Sequence, residues 1–223
     1  MKNVILLDLD GTITDPKIGI TKSVQYALSH FDIHVADPNE LCHFIGPPLR
    51  ESFREFYGLS EEDAELATAK YRERFAPTGI YENEIYDGMK GLLKSLKESG
   101  KTLILATSKP TAFAVRVLEH FDIAEYFTFI SGAELSGERS DKYEVITYAL
   151  EKCGISDLDS CVMIGDRKFD IIGAKAAGIS CIGVLYGYGD EAELSEAGAD
   201  YLVLDVLELE QLLNGGLDLW ETT

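Results

Sequence analysis

Apolar residues are arranged in two different ways along this chain. Val4-Ile5-Leu6-Leu7 is a continuous apolar run, the pattern of a strand over residues 3–8 buried on both faces. The next run of that quality is Thr102-Leu103-Ile104-Leu105-Ala106-Thr107. Between them the spacing is helical. Ile20, Val24, Ala27, Leu28 and Phe31 mark a helix over 18–31, and Leu49, Phe53 and Phe56 mark another over 49–57. Ser60-Glu61-Glu62-Asp63 resembles a capping box opening a third, through Leu66, Ala67, Tyr71 and Phe75. No good strand interrupts this stretch, so residues 15–86 are expected to form an inserted helical cap.

After Asp87-Gly88 the pattern becomes a regular alternation. Helices are expected at 89–99, from Pro110 through Phe121, at 142–153 and at 171–177; strands at 127–130, 161–164, 180–185 and 201–204. Such alternation implies an α/β fold: a doubly wound, mainly parallel sheet with helices on both faces. The expected organisation is an α/β core of residues 1–14 and 87–213, the helical insertion 15–86, and a C-terminal tail at 214–223.

The chain has 223 residues, 39 acidic against 20 basic, for a formal charge of −19. That balance argues against nonspecific binding to nucleic acid or an anionic membrane. An anionic substrate would need local positive potential from a metal, a few Lys or Arg and helix N-termini. No apolar stretch approaches the roughly 18 residues of a membrane span, and the N-terminal run is broken by Asp8 and Asp10, unlike a signal peptide. Cys42, Cys153, Cys161 and Cys181 make no CxxC pair; free thiols and a cytoplasmic location are expected.

In a parallel sheet, ligands bind beyond the carboxyl ends of the strands, and these ends are chemically selective. The first gives Asp8 and Asp10, two carboxylates whose repulsion favours a cation or proton between them. They also suit a division between nucleophile and acid/base. The second gives Thr107, Ser108 and Lys109, hydroxyl and cationic donors ahead of a helix. The strand at 161–164 gives Gly165-Asp166-Arg167-Lys168-Phe169-Asp170, with two more oxygen ligands for a hard divalent ion.

Taken together, DxDGT at Asp8, Thr107-Ser108, a lysine ahead of a helix and GDxxxD at Asp166 resemble the four motifs of the haloacid dehalogenase superfamily. The resemblance covers nearly the whole chain, and the insertion lies where that family carries its C1 cap. Gly46-Pro47-Pro48-Leu49-Arg50-Glu51-Ser52-Phe53 and Ala106-Thr107-Ser108-Lys109-Pro110 resemble its phosphoglycolate phosphatase/5'-nucleotidase-like branch. The resemblance implies a Mg2+-dependent phosphatase of a small phosphorylated metabolite, acting through an aspartyl-phosphate; the sequence leaves monomer and homodimer both open. Asp8 corresponds to the nucleophile, and Asp10 to the acid/base that lends its carbonyl to the metal. Thr107 matches the phosphate-binding hydroxyl, with Ser108 beside it. Lys142 matches the charge-neutralising lysine; Asp166 and Asp170 match the metal's acidic pair. Tyr143 follows Lys142 where many members have proline, and Arg139 is a rival cation.

Arg50, behind two prolines, is the candidate cap contact to substrate, ahead of Lys17, Lys22, Arg54, Tyr71 and Arg72. His30, His34, His43 and His120 have no triad or metal spacing and read as structural. Tyr186-Gly187-Tyr188-Gly189 carries little weight. Within the superfamily, pyrophosphatase, phosphonatase and phosphomutase activities are the alternatives. A phosphonatase would need a reactive cap lysine, a phosphomutase a histidine in the early cap segment, and a dehalogenase would not need Asp10. Against a non-catalytic binding protein on the same fold stand the intact Asp8, Asp10 and Asp166 and the candidate Lys142.

Overall fold

The structure, a computed structural model, describes residues 2–215. Its centre is a six-stranded, all-parallel sheet built from β1 (Val4–Leu7), β4 (Thr102–Pro110), β5 (Phe129–Ala133), β6 (Cys161–Gly165), β7 (Ser180–Val184) and β8 (Tyr201–Val203). The order is β5-β4-β1-β6-β7-β8. β1 is therefore central, paired with β4 on one side and β6 on the other. The chain leaves it in opposite directions, which opens the ligand crevice at its carboxyl end.

Alternation along the strands divides the core in two. Ile5, Leu7, Leu103, Leu105, Val162 and Ile164 face one apolar cluster. That cluster is closed by α4 (Met89–Glu98), α5 (Thr111–His120) and α9 (Val206–Gly215). Val4, Leu6, Ile104, Ala106 and Met163 face the other. Here α6 (Lys142–Lys152), α7 (Lys168–Ala176) and α8 (Glu191–Glu196) pack. Successive strand residues point to opposite faces, so runs with both faces covered must be apolar throughout.

The helical stretch contains α1 (Lys17–Ser29), α2 (Leu49–Tyr57) and α3 (Glu61–Phe75). Ser60 caps α3 as the motif predicts, accepting from the Asp63 amide. Chain entry and exit are clamped by a short antiparallel ribbon of β2 (Thr14–Asp15) and β3 (Glu84–Ile85), which the sequence pattern does not predict. Ile20, Val24, Phe53, Tyr71 and Phe75 join the same apolar cluster as Ile5 and Leu7.

Several boundaries differ from expectation. The strand expected at 127–130 is β5, Phe129–Ala133. Residues 124–126 form a 3-10 turn instead, which delays sheet entry. α7 starts at Lys168, not 171, which puts Asp170 in its first turn. The expected tail begins too early: 214 and 215 still belong to α9, and 216–223 lie outside the described residues. Among the described residues, no helix is long and apolar enough to cross a membrane.

Candidate active site

Three strand ends and two helix starts converge in the crevice. The β1 chain continues through buried Asp8, whose amide donates to the Ile164 carbonyl at 2.9 Å. Lys142 is the first residue of α6, behind the N-cap Asp141. Its Nζ lies 2.8 Å from Asp8 Oδ1 and 2.7 Å from Asp170 Oδ1. It also donates to the Ala106 carbonyl at 3.1 Å. Gly173 makes this approach possible: a Cβ there would sit 2.9 Å from Lys142 Cβ and Cγ. Burial opposes the ammonium charge, but Asp170 and Asp8 outweigh it and hold the group protonated.

Asp170 has two jobs. Its Oδ2 accepts from the Arg167 amide at 3.1 Å, satisfying the start of α7, while Oδ1 faces Lys142. Gly165 leaves room for it, since a Cβ there would lie 2.1 Å from Asp170 Cγ. Burial pushes the Asp170 carboxyl up to about 6, against the pull of Lys142. Asp166, fully buried, is raised well above the usual carboxylate range by burial, then by the charges of Asp170 and Asp8.

Asp8, Asp166 and Asp170 each offer an oxygen within 4.8 Å of the others. Asp8 Oδ1 and Asp170 Oδ1 are ion-paired to Lys142 without hydrogen-bond geometry. Three buried carboxylates against one lysine leave excess negative charge in low dielectric, a donor set that fits a hard divalent cation.

Asp10 is handled separately. Its two oxygens accept from Lys109 Nζ at 2.9 and 2.7 Å. The acids two residues apart thus turn to different lysines, and the Asp10 carboxylate is not part of the three-acid cluster. Burial raises the Asp10 carboxyl, with Lys109 pulling the other way. Lys109 reaches it because β4 bulges: Ala106 pairs with Ser131 and Pro110 with Ala133, leaving three residues against one. The bulge turns Thr107-Ser108-Lys109 into the crevice. Buried Thr107 accepts from the Lys109 amide at 3.2 Å.

Arg139 does not compete with Lys142. Its guanidinium donates to the Gly132 carbonyl at 3.0 Å, pairs with Glu134 and lies over the Tyr148 ring. Ser108, Lys109 and Asp10 floor a cavity of about 180 Å3 walled by Phe44, Tyr71 and Phe75. Arg50 lines it too, with its side chain half-exposed and its guanidinium 3.6–3.7 Å from Glu61 and Glu65. Arg72 lines the same cavity and donates to the Leu135 carbonyl at 3.1 Å. Lys22 and Arg54 pair with Glu82 and Glu61. His30, His43 and His120 make local ring contacts.

The loop 186–189, which carried little weight in the sequence, encloses Asp166. The Tyr188 amide donates to Asp166 Oδ2 at 2.9 Å, and the Gly189 amide to its carbonyl at 3.0 Å. Tyr188 Oη also bonds Asp15, and Tyr186 Oη donates to the Thr12 carbonyl. Cβ atoms at Gly11, Gly187 and Gly189 would fall 2.1–2.3 Å from atoms of Asp166. Glycines spaced by one residue after a strand are the signal in the sequence. Gly187→Ala should therefore cost about 1–3 kcal/mol of stability, read as a lower urea midpoint at unchanged slope.

Residues 5–184 match the family model of haloacid dehalogenase-like hydrolases. A 5'-nucleotidase of Pseudomonas aeruginosa is 46% identical over 94% of each chain. The tyrosine-protein kinase PtkA of Mycobacterium tuberculosis is 39% identical over 83% of this chain and 63% of its own length. A crystal structure titled a "predicted phosphatase", from Clostridium acetobutylicum, superposes with a TM-score of 0.92 at 49% identity, covering 95% of this chain and 97% of that one. The chain belongs to the haloacid dehalogenase-like hydrolases. Its relatives place it among the phosphatases of that family, as a phosphoric monoester hydrolase.

Proposed function

We propose that the protein hydrolyses small phosphate monoesters in two displacements at Asp8, with nucleoside 5'-monophosphates as the leading substrate class. The observation that carries this reading is the convergence of Asp8, Lys142, Asp166 and Asp170 in one buried cluster beside Asp10. A carboxylate oxygen of Asp8 attacks phosphorus and the bond to the leaving oxygen breaks. Asp10, with its carboxyl raised by burial, gives that oxygen its proton. Water then attacks phosphorus, Asp10 takes the water's proton, and the bond to Asp8 breaks. Lys142 offsets the repulsion between the Asp8 carboxylate and a phosphate dianion. Thr107 and Ser108 are assigned to the phosphate.

Mg2+ is the assigned cofactor, held by Asp8, Asp166 and Asp170 with the Asp10 carbonyl. When bound, it supplies charge neutralisation at the transferring phosphoryl group. The segment 15–86 acts as a cap whose aromatic wall (Phe44, Tyr71, Phe75) meets the leaving group. A nucleoside suits that wall, and the similarity to a protein named 5'-nucleotidase supports it. Phosphonatase chemistry lacks support, because among the described residues no cap lysine lines the cavity. The free cysteines suit a reducing compartment, which supports a cytoplasmic reading. The similarity to PtkA favours one second reading, transfer of the phosphoryl group to a protein acceptor rather than water.

The test is phosphate release from a panel of nucleoside, sugar and two-carbon phosphate monoesters. Release is expected to stop with EDTA, return with Mg2+ and be fastest for a nucleoside 5'-monophosphate. Release indifferent to EDTA would contradict the metal assignment; phosphorylation of added protein without phosphate release would favour the second reading.

A further inference from the structure

Arg167 follows the cluster residue Asp166, yet its side chain leaves the crevice and crosses to the helical segment. Nη1 donates to the Ile45 carbonyl at 2.6 Å. Nε and Nη2 donate to the two oxygens of Glu193 at 2.8 and 3.3 Å. Glu193 is fixed in turn, accepting from the Lys168 amide at 2.9 Å, and the Arg167 side chain is only 13% exposed. All three arms of the planar fork are used, a geometry lysine cannot copy.

The segment it grips is Ile45-Gly46-Pro47-Pro48-Leu49-Arg50, a loop running into the first turn of α2, and residues 46–50 line the cavity over Asp10. Gly46 has φ +107, and a Cβ there would stand 2.9 Å from Arg167 Cγ. Two separate sequence motifs, GDRKFD in the core and GPPLR in the insertion, thus meet through one side chain. Prolines 47 and 48 stiffen the loop, so fixing its start fixes the cavity wall.

We infer that Arg167 is a positioning residue that docks the Gly46–Arg50 segment onto the catalytic loop and so sets the shape of the leaving-group cavity. This rests on the phosphatase reading for its kinetic consequences and on geometry alone for the docking. A merely structural role in the 165–170 loop would act through Asp166 and disturb every substrate and the metal together. Docking acts only on leaving groups large enough to reach the cap.

The test compares Arg167→Ala, Arg167→Lys and Gly46→Ala with the unaltered full chain, using a nucleoside 5'-monophosphate and acetyl phosphate. Loss of a charge-assisted hydrogen bond predicts that kcat/KM for the nucleotide falls about 10- to 100-fold, while acetyl phosphate loses less than about threefold. The Mg2+ concentration for half-maximal rate should not move, and amide hydrogen exchange over 45–50 should quicken in all three. Equal losses on both substrates with a raised Mg2+ requirement would overturn the inference. So would unchanged exchange over 45–50. If the unaltered protein releases phosphate from neither substrate, the phosphatase reading fails and exchange alone decides the docking.

Discussion

Asp8→Asn is expected to lose phosphate release by more than about a thousandfold while the fold survives. The amide keeps the shape of the side chain but has no negative oxygen to attack phosphorus. The surrounding electrostatics predict that the variant folds well. Asp8 is one of the charges that raise Asp166 and Asp170, so its neutralisation relieves repulsion among three buried acids, and Lys142 keeps Asp170 as its ion-pair partner. Without metal, the melting temperature should therefore hold or rise. An inactive variant with a lowered melting temperature would point to damage to the fold, and an active variant would remove Asp8 as nucleophile.

The second large effect is expected at Lys142. Lys142→Met fills a similar volume but leaves Asp8 and Asp170 buried without their cation. Removing one partner of a buried pair costs about 3–5 kcal/mol, and activity should fall at least about a hundredfold with the loss of charge at the phosphoryl group. The pH dependence has a definite sign. Asp170 already sits at about 6 in the folded protein, against an ordinary value of 3.8. Without Lys142 it rises further, so the folded state holds its proton more tightly than the unfolded chain. Stability then persists at low pH and is lost as pH rises from about 4 through and beyond 6. Urea unfolding should show the variant nearer the unaltered protein at pH 5 than at pH 8. A pH-independent difference would contradict the charge account.

The sequence discloses the parts of this site that lie on strand ends. Asp8 and Asp166 are legible because an apolar run that stops at an acid, near a glycine, marks the ligand crevice of a doubly wound sheet; Asp170, in the first turn of α7, is legible from its place four residues after Asp166. Lys142 and Arg139 could not be separated that way. Both are cations ahead of one helix, and only the packing of α7 against Lys142 through Gly173 buries the first, while Glu134 and Tyr148 hold the second aside. The bond from Lys109 to Asp10 spans 99 residues and depends on a bulge that leaves no periodicity signal. Arg167 was hidden for a similar reason: its partners Ile45 and Glu193 lie far away in opposite directions along the chain. The loop 186–189 reads as an ordinary turn until its amides are seen on Asp166. Local chemistry is written in the motif; the contacts that aim it are set by close approach between elements remote in sequence.

The central claim is that Asp8 carries the phosphoryl group between substrate and water. The most direct measurement is peptide mapping of the protein after rapid acid quench during turnover of a labelled phosphate monoester, with borohydride used to convert any aspartyl-phosphate to homoserine. The account predicts homoserine at position 8 and nowhere else. Label on another residue, or a burst of product with no protein-bound phosphate, would contradict it.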